Sequence, residues 1–205
     1  MDIVTLPSCP QIVGRNWRYN APTQVNRSEW TKKRQAIVNP VAPMWMAEVK
    51  PFDVDSEDQF WEWSAFFGRL KGRANAFRLP VLAKAQITAL TIRVKGGGQT
   101  GYTLLTDGWG SIGLKAGMFC TVNDQLMRLV ENGTPSSGDA TLTFDRWLTA
   151  APADNAIVTV DFPTALMTMA DDVTGWQDDT ASWDDAGEGR WNIGFSCEEA
   201  YNVAG

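Results

Sequence analysis

The sequence predicts a mainly β protein with one principal α-helix, and three observations lead to this fold class. Only residues 55–72 combine helix-capping residues with apolar residues at helical spacing. From Gln86 onward, short alternating apolar runs recur between turn-forming residues, as in a small antiparallel barrel or sandwich. The chain has 205 residues and is 44% hydrophobic, which is enough for one packed domain or for one domain with a smaller module.

Residues 1–54 are predicted to form strands and turns. Pro40, Pro43 and Pro51 interrupt helices, and the run Met44–Val49 between them has the character of a strand. Basic and aromatic residues are interleaved upstream of that run: Arg15, Trp17, Arg18, Tyr19, Arg27, Trp30, Lys32, Lys33 and Arg34. Arg and Trp are enriched in protein interfaces and also occur at nucleic-acid sites. Because no nucleic-acid-binding motif accompanies them, a protein interface is favoured.

The helix is predicted from about residue 56 to residue 71. Asp55 and Ser56 are candidates for the N-cap, and Glu57 with Asp58 places negative charge at the positive end of the helix dipole. Apolar residues follow at steps of three, four and three positions: Phe60, Trp63, Phe67 and Leu70. This stripe predicts the face that packs against a sheet, and Gly72 supplies the C-terminal stop.

The second half of the chain is predicted to form short strands joined by tight turns. The apolar runs are residues 87–94, 102–105, 119–122, 125–130, 140–144 and 157–160. Asn123-Asp124 between two of these runs indicates a tight hairpin, and the glycines at 96–98 indicate a flexible turn. Near the end of the chain, the alternation of Trp191–Cys197 predicts a further strand.

The composition argues against most catalytic chemistry. The chain has no histidine, which excludes Ser-His-Asp and Cys-His nucleophile systems, His-ligated zinc sites and imidazole pH switches. The sequence also lacks a phosphate-binding loop, a dinucleotide-binding glycine motif and a nucleophile elbow. We therefore expect no enzymatic activity, no bound metal and no cofactor.

The cysteines indicate a protein made in a reducing compartment. Cys9, Cys120 and Cys197 are far apart and odd in number, which predicts buried free thiols and no disulfide framework. The N-terminus lacks a basic region followed by a long apolar run, and no window approaches about 18 consecutive apolar residues. We therefore expect neither a signal peptide nor a transmembrane helix.

Charge is distributed unevenly along the chain, although the net charge is only −6. Residues 1–100 carry 14 Lys and Arg against 8 Asp and Glu, whereas residues 101–205 carry 4 against 16. The overall acidity argues against the whole molecule being a nucleic-acid binder. The opposite charge of the two halves predicts either head-to-tail association between copies or two solvated faces that never meet.

The most acidic stretch, residues 171–185, holds six Asp and no Lys or Arg. A calcium site would use such ligands, but the residue order of a calcium-binding loop is missing, so a solvated or partner-facing loop is favoured. A carboxylate hydrolase would need an acid and a base from this stretch. Pairs such as Asp178-Asp179 are adjacent in sequence and need not converge on a substrate.

Three stretches of the chain, taken in order, carry a family resemblance. The first is the predicted helix followed by residues 70–79, Leu-Lys-Gly-Arg-Ala-Asn-Ala-Phe-Arg-Leu. The second covers residues 113–130 and 138–144 and ends in Ala-Thr-Leu-Thr-Phe. The third is the run 195–201, in which two Glu residues precede an aromatic residue. Together they resemble the distal tail proteins of long-tailed bacteriophages over roughly residues 44–201. After the second stretch, this chain has Asp145-Arg146-Trp147-Leu148 where the family usually has Pro-Pro-Leu-Arg.

The resemblance implies a tube-like β-sandwich with a flanking helix and an inserted small β-barrel or sandwich module. Residues 1–85 and 163–205 would form the ring-forming sandwich, and residues 86–162 the inserted antiparallel module. In that topology the strand Trp191–Cys197 returns to the first sheet. The implied function is that of a structural virion protein forming a ring, a hexamer in the family, at the distal end of the tail.

The implied partners follow from the position of such a ring. It would bind copies of itself, the tail tube protein and the tail-tip hub or fibre proteins, with genomic DNA passing through a central channel. Its location would be the virion tail tip after synthesis in the host bacterial cytoplasm, without membrane insertion. For the contact between copies we predict basic residues against acidic ones: Arg15, Arg18, Lys32, Lys33 and Arg34 against Asp178, Asp179, Asp184 and Asp185.

A carbohydrate-binding module at the tail tip, recognising host surface polysaccharide, is the alternative function. An exposed Trp can stack on a sugar ring while Asp and Asn bind its hydroxyl groups. Trp109, Trp176 and Trp183 lie in candidate loops with polar neighbours. The same residues would also suit interface anchors or partial core.

Overall fold

The computed structural model describes residues 1–12, 14–38, 43–172, 177–178 and 191–200. Within these ranges the fold comprises one helix, α1 (Glu57–Leu70), and fifteen strands. The strands are β1 (Ile3–Val4), β2 (Arg15–Asn20), β3 (Thr23–Arg27), β4 (Arg34–Val38), β5 (Met44–Val54), β6 (Ala76–Pro80), β7 (Ile92–Val94), β8 (Gly101–Asp107), β9 (Phe119–Val122), β10 (Gln125–Arg128), β11 (Asp139–Leu148), β12 (Ile157–Thr159), β13 (Thr164–Met169), β14 (Gln177–Asp178) and β15 (Trp191–Glu199). The predicted class, mainly β with one principal helix and a barrel-like module, is confirmed.

Within the described residues the strands form three sheets. A seven-stranded sheet has the order β1-β6-β13-β15-β5-β2, with β14 paired to β15. A six-stranded sheet has the order β10-β9-β12-β7-β8-β11, and β3 and β4 form a separate two-stranded sheet. The chain Trp191–Cys197 lies in β15, between β13 and β5, so the predicted return of this strand to the first sheet is confirmed.

The chain divides into two compact units. The first comprises Met1–Tyr19, Trp45–Leu79 and Leu166–Gly205, and the second comprises Asn20–Met44 and Pro80–Ala165. The second unit contains the whole of residues 86–162, the predicted inserted module. It also contains the segment from Asn20 to Met44, which is predicted from the sequence to belong with residues 1–85. Buried Arg146 holds one end of this segment in the second unit, because its Nη1 donates a hydrogen bond to the Pro43 carbonyl at 3.3 Å.

The core of the first unit is built on the aromatic face of α1. Phe60, Trp63, Phe67 and Leu70 are buried together with Phe66, so the predicted core face is confirmed. Strand β15 supplies the main partner rings. The ring of Phe195 lies 5.6 Å from Phe67 and 6.2 Å from Trp63, and Trp191 stacks on Phe60 at 4.6 Å, all measured between centroids. Edge-to-face and stacked aromatic contacts of this kind stabilise a core beyond the area that they bury.

The ends of α1 differ slightly from the prediction. Ser56 is the N-cap residue, with extended backbone angles, but its side chain makes no capping hydrogen bond. At the other end the left-handed conformation begins at Lys71, with φ 51°, and Gly72 continues it with φ 64°. The helix therefore stops one residue before the predicted glycine, and two consecutive left-handed residues turn the chain toward β6.

The core of the second unit lies inside the six-stranded sheet, which is nearly closed. Val130 donates its backbone N–H to the Thr143 carbonyl at 2.9 Å, which brings the end of β10 against β11. The buried core residues include Ile92, Leu104, Trp109, Leu114, Val122, Met127, Leu142, Phe144 and Val158. The predicted hairpin at Asn123-Asp124 is confirmed, since both residues have positive φ and connect β9 directly to β10.

The three cysteines are free, as predicted, but only two of them are buried. Cys120 and Cys197 lie in the interior, and burial raises the pKa of each thiol to about 12. Cys9 is exposed, so the prediction of a buried thiol is wrong for this residue. Cys9 contributes its backbone instead, because its carbonyl accepts the indole N–H of Trp63 at 3.1 Å.

Candidate interaction surface

Neither a metal-binding cluster nor a membrane-spanning helix is found in the described part of the chain. Within the ranges given above, no group of three or more Cys, Asp or Glu side chains lies close enough to hold a metal ion. In the same part of the chain, α1 is the only helix, and it lacks the length and hydrophobicity needed to cross a membrane. The most unusual exposed feature is a hairpin.

The hairpin of β3 and β4 is exposed along its whole length. Every residue from 20 to 37 is exposed. Trp30, in the turn, exposes 95% of its surface, and Val25 and Ile37 expose 46% and 48%. We call this hairpin, from Thr23 to Val38, the arm. Its apolar side chains face water because neither face of the hairpin is covered.

The strand register of the arm sorts its side chains onto two faces. Val25 pairs with Ala36 and Arg27 pairs with Arg34, so these four side chains share one face. The other face carries the pairs Gln24–Ile37 and Asn26–Gln35. Arginines directly opposite each other repel, so one end of the arm carries an unfavourable charge pair.

Backbone and hydroxyl hydrogen bonds shape the turn of the arm around Ser28. Its N–H donates to the Lys33 carbonyl at 3.0 Å, and its carbonyl accepts the N–H of Lys32 at 3.0 Å. The hydroxyl of Ser28 accepts the N–H of Thr31 at 3.2 Å. Lys32 has a left-handed backbone, with φ 58°. These contacts hold the lysines next to the Arg27–Arg34 pair.

A cleft of about 380 Å³ lies beside this turn. Its lining residues are Asn26, Arg27, Ser28, Lys33, Arg34 and Gln35. The ion pairs formed among the described residues do not involve Arg27, Lys33 or Arg34. The cleft therefore presents cations and amide groups without a compensating carboxylate, which suits a bound carboxylate or phosphate.

The structure brings together three of the five predicted basic residues. Lys32, Lys33 and Arg34 lie in the arm, whereas Arg15 and Arg18 lie on β2 in the first unit. Arg18 is engaged within the chain, because its Nη2 lies 3.5 Å from Oε2 of Glu48. Arg15 is half-buried, and burial lowers the pKa of its guanidinium below the ordinary value.

The predicted acidic residues fall largely outside the described part of the chain. Asp178 lies on β14, paired in register with Trp191 of β15. Asp179, Asp184 and Asp185 are outside the described residues. The pairing of basic with acidic residues between copies therefore stays a prediction.

Sequence reasoning missed Arg27 as a partner of Arg34. The two are seven positions apart, with a turn between them, and only the register of β3 with β4 shows that they are directly opposite. No local pattern in residues 23–38 specifies this register, which depends on how the two strands pair.

The predicted sugar-stacking residues are not supported as a group. Trp109 exposes only 5% of its surface in the core of the six-stranded sheet, and its indole N–H donates to the Thr106 hydroxyl at 2.7 Å. Trp109 lies in the loop after β8, as predicted, but a sugar ring cannot reach a face buried in this way, so its proposed stacking role is wrong. Trp176 and Trp183 lie outside the described residues.

A different aromatic pair is exposed on the second unit. Tyr102 of β8 and Trp147 of β11 expose 42% and 38%, with ring centroids 5.7 Å apart and planes inclined at 55°. Asp145, two residues earlier on β11, accepts hydrogen bonds from Arg128 through Oδ2. Its Oδ1 has no hydrogen-bond partner among the described residues. We call Tyr102 and Trp147 the aromatic shelf.

Comparison with known proteins assigns no family to the chain. No protein-family model matches it, and no curated protein matches it. The functional interpretation therefore depends on the residues, on the fold and on the resemblance in the sequence.

Proposed function

We propose that the protein is a structural component of a bacteriophage tail tip, where copies of the chain form a ring at the distal end of the tail tube. The ring has six subunits, as in the family that the sequence resembles, and surrounds a channel for DNA. It connects the tail tube protein to the tail-tip hub or fibre proteins. The protein is part of the virion and has no enzymatic activity in this role.

The observation that carries this proposal is the arm. A two-stranded hairpin is at best marginally stable in water by itself. Covering the exposed half of an apolar side chain such as Ile37 would contribute roughly 0.7–1.5 kcal/mol, about half of the value for a fully exposed side chain. An exposed hairpin with Trp30 at its end and apolar residues on both faces is what an assembly protein needs for contact with a neighbour.

The charge distribution supports contact between two different surfaces of neighbouring copies, as a ring requires. A closed ring forms when a patch of one subunit binds a different patch of the next. The arm is basic, and the stretch 171–185 is strongly acidic. Opposite charges on two different surfaces favour this heterologous contact and oppose the contact of like patches.

Two glycines in the second stretch of the family resemblance have conformational roles in the fold, which suits a structural protein. A Cβ on Gly113 would lie 2.0 Å from the Gly133 carbonyl oxygen and 2.6 Å from Cδ of Pro135, so a side chain cannot fit there. Gly117 has φ 88°, a conformation that L residues rarely adopt. The motif around residues 113–119 therefore specifies a close backbone approach and a turn.

The test is the assembly state of the full chain. Native mass spectrometry and negative-stain electron microscopy at low ionic strength are expected to show closed oligomers with a central hole. Some ring proteins close only on their tube, so the same chain is also added to purified phage tail tubes. Decoration at one end of the tube supports the proposal. A chain that stays monomeric by itself and does not bind tubes would contradict it.

The aromatic shelf favours a second candidate function, binding of host surface polysaccharide. Trp147 and Tyr102 present ring surface for stacking, and Asp145, which is ion-paired with Arg128, lies two residues before Trp147 on β11. Arg128 holds the carboxylate in place, with Nε and Nη2 at 2.8 and 2.6 Å from Oδ2. Fixed polar groups beside an exposed aromatic ring are the usual elements of sugar recognition.

Calorimetric titration with purified bacterial cell-wall polysaccharide tests this second function. We expect binding by the full chain and roughly tenfold weaker binding by Trp147→Ala, because the stacking surface is lost. Trp61→Ala, which removes an exposed Trp on α1, is the matched control and should bind normally. Equal binding by all three proteins would remove the aromatic shelf as the site.

A further inference from the structure

The cations of the arm are concentrated where the backbone cannot spread them apart. Arg27 and Arg34 are directly opposite each other on one face, and Lys32 and Lys33 are in the turn between them. The Ser28 N–H donates to the Lys33 carbonyl at 3.0 Å, which closes the turn immediately beyond the arginine pair. These hydrogen bonds fix the spacing of the backbone positions that carry the four cations. An anion in the cleft would relieve the repulsion that remains between the side chains.

Little within the arm offsets this charge. Glu29 is the only acidic residue between 20 and 38, so four cations face one anion. The ion pairs of the described residues connect other side chains, for example Arg18 with Glu48 and Arg128 with Asp145. The arm thus has an excess of three positive charges on a fully exposed hairpin.

The chain itself contains a segment of matching chemistry. Residues 171–188 hold seven acidic side chains and no Lys or Arg. Six of them form three Asp pairs, at 171–172, 178–179 and 184–185, with Trp176 and Trp183 between the pairs. Alternating carboxylates and indole rings complement a surface on which Trp30 stands among cations.

Another anionic ligand for such a cleft would be a nucleic acid. The net charge of −6 disfavours the approach of a polyanion to the whole molecule, whereas an acidic segment of the same chain is present at equal concentration in every assembly. A peptide carboxylate also matches the geometry of a guanidinium from Arg27 or Arg34.

We propose that the cleft of the arm binds carboxylates of the acidic segment, residues 171–188, of a second copy of this chain. This inference rests on the proposed ring and names the two surfaces that meet between neighbouring subunits. Each subunit then gives its arm to one neighbour and receives the arm of the other at its acidic segment, which is a heterologous contact that can close into a ring.

Charge reversal in two variants tests the contact. The arm variant carries Arg27→Glu, Lys33→Glu and Arg34→Glu, and the segment variant carries Asp178→Lys, Asp179→Lys, Asp184→Lys and Asp185→Lys. Each variant alone is expected to self-associate at least about tenfold more weakly than the parent chain, because like charges then face each other at every contact. Sedimentation velocity measures the association constant.

Mixing the two variants distinguishes contact between copies from contact within one copy. In a one-to-one mixture every arm can meet a segment of opposite charge on the other variant, so association is expected to return. A contact within one chain gives no recovery on mixing, and that result would overturn the proposal. The matched control is Lys84→Glu, Arg93→Glu and Lys115→Glu, which reverses three exposed cations outside the arm and should associate normally.

These experiments distinguish failure of the contact between arm and acidic segment from failure of ring formation. If the parent chain forms rings or decorates tail tubes and the charge-reversed variants do so equally well, the ring stands and the arm contact is refuted. If the parent chain does neither, both proposals fail. A gel-shift assay with a single-stranded oligonucleotide tests nucleic acid as the ligand of the cleft. If the parent chain bound the oligonucleotide tightly, the arm variant did not, and the two proteins self-associated equally, the cleft would be assigned to nucleic acid. That result would also overturn the proposal.

Discussion

At the scale of single residues, two tryptophans of α1 show how burial and exposure divide one aromatic-rich helix. Trp63 is fully buried, its ring lies 5.0 Å from Phe52 and 5.5 Å from Phe66 between centroids, and its N–H donates to the Cys9 carbonyl. Trp61, two positions earlier, exposes 56% of its surface. The two side chains are similar in chemistry and opposite in role because a helix turns by about 100° per residue.

Truncation of these two residues should therefore have very different costs. Trp63→Ala is expected to lower the free energy of unfolding by about 3–5 kcal/mol, since it leaves a cavity at the centre of the aromatic core. Trp61→Ala should change it by no more than about 0.5 kcal/mol. Urea unfolding followed by circular dichroism measures both. Similar losses in the two variants would show that α1 does not pack through the face described.

The three thiols should differ in reactivity for the same reason. With the pKa of Cys120 and Cys197 raised to about 12, both stay protonated and enclosed in the folded chain. A thiol-reactive chromogenic disulfide at about pH 8 is expected to label Cys9 alone, and all three after unfolding. Cys9→Ser should abolish labelling of the folded protein. Rapid labelling of two or more thiols in the folded chain would contradict the burial described.

The same thiols give a pH dependence at the alkaline end. Their pKa is raised above the ordinary value of 9.0, so the unfolded chain loses these protons first as the pH rises. The contribution of these two thiols to the free energy of unfolding is therefore complete below pH 9.0 and declines up to about pH 12. Replacing both buried cysteines with alanine should reduce this alkaline loss, measured as unfolding free energy against pH relative to the same variant at pH 7.

At the scale of single elements, the β9–β10 hairpin shows a turn that its two residues specify. Asn123 and Asp124 have φ of 49° and 58°, and Val122 pairs directly with Gln125. Two consecutive residues with positive φ match the right-handed twist of the strands, and Asn and Asp tolerate this backbone better than most residues. Local chemistry and tertiary pairing therefore agree at this turn.

Replacement of the turn residues tests that agreement. The double change Asn123→Ala and Asp124→Ala is expected to lower the unfolding free energy by roughly 2–4 kcal/mol, since each alanine would take a left-handed backbone at a cost of about 1–2 kcal/mol. Asp124→Gly is the matched control and should be neutral or slightly stabilising. If the alanine variant melted at the same temperature as the parent, this turn would not have the conformation described.

At the scale of the whole molecule, folding and assembly involve different parts of the chain. Each of the two units has its own buried core, one around α1 and one inside the six-stranded sheet. The arm contributes to neither core, because all of its described side chains are exposed. Stability and association should therefore be separable by deletion.

Replacing residues 23–37 with a short Gly-Ser connection is expected to leave the thermal unfolding curve nearly unchanged, since none of the replaced side chains belongs to a buried core. The same variant should no longer form rings or decorate tail tubes. Differential scanning calorimetry and electron microscopy measure the two properties. Replacement of the exposed loop residues 96–98 with the same connection is the control, and it should assemble. A large loss of stability on removing the arm would place it in the fold instead.

Prediction from sequence succeeded where local spacing determines the result. Phe60, Trp63, Phe67 and Leu70 form the buried face because helical geometry alone brings them to one side. Prediction was wrong for the exposure of Trp109, which lies in the loop after β8 as expected but whose ring the six-stranded sheet encloses. Prediction was also wrong for Cys9, because its segment lies outside any helix or strand and has no periodicity that reveals which side chains are exposed.

The sequence by itself determined the class of the fold, the one helix and its core face, the Asn123-Asp124 turn and the opposite charges of the two halves. These depend on neighbours within a few positions or on composition. Only the tertiary structure decided that Arg27 stands opposite Arg34, that Tyr102 and Trp147 meet on one surface and that the arm is exposed on both faces. Strand register and burial depend on contacts between residues distant in sequence, so no local pattern can specify them.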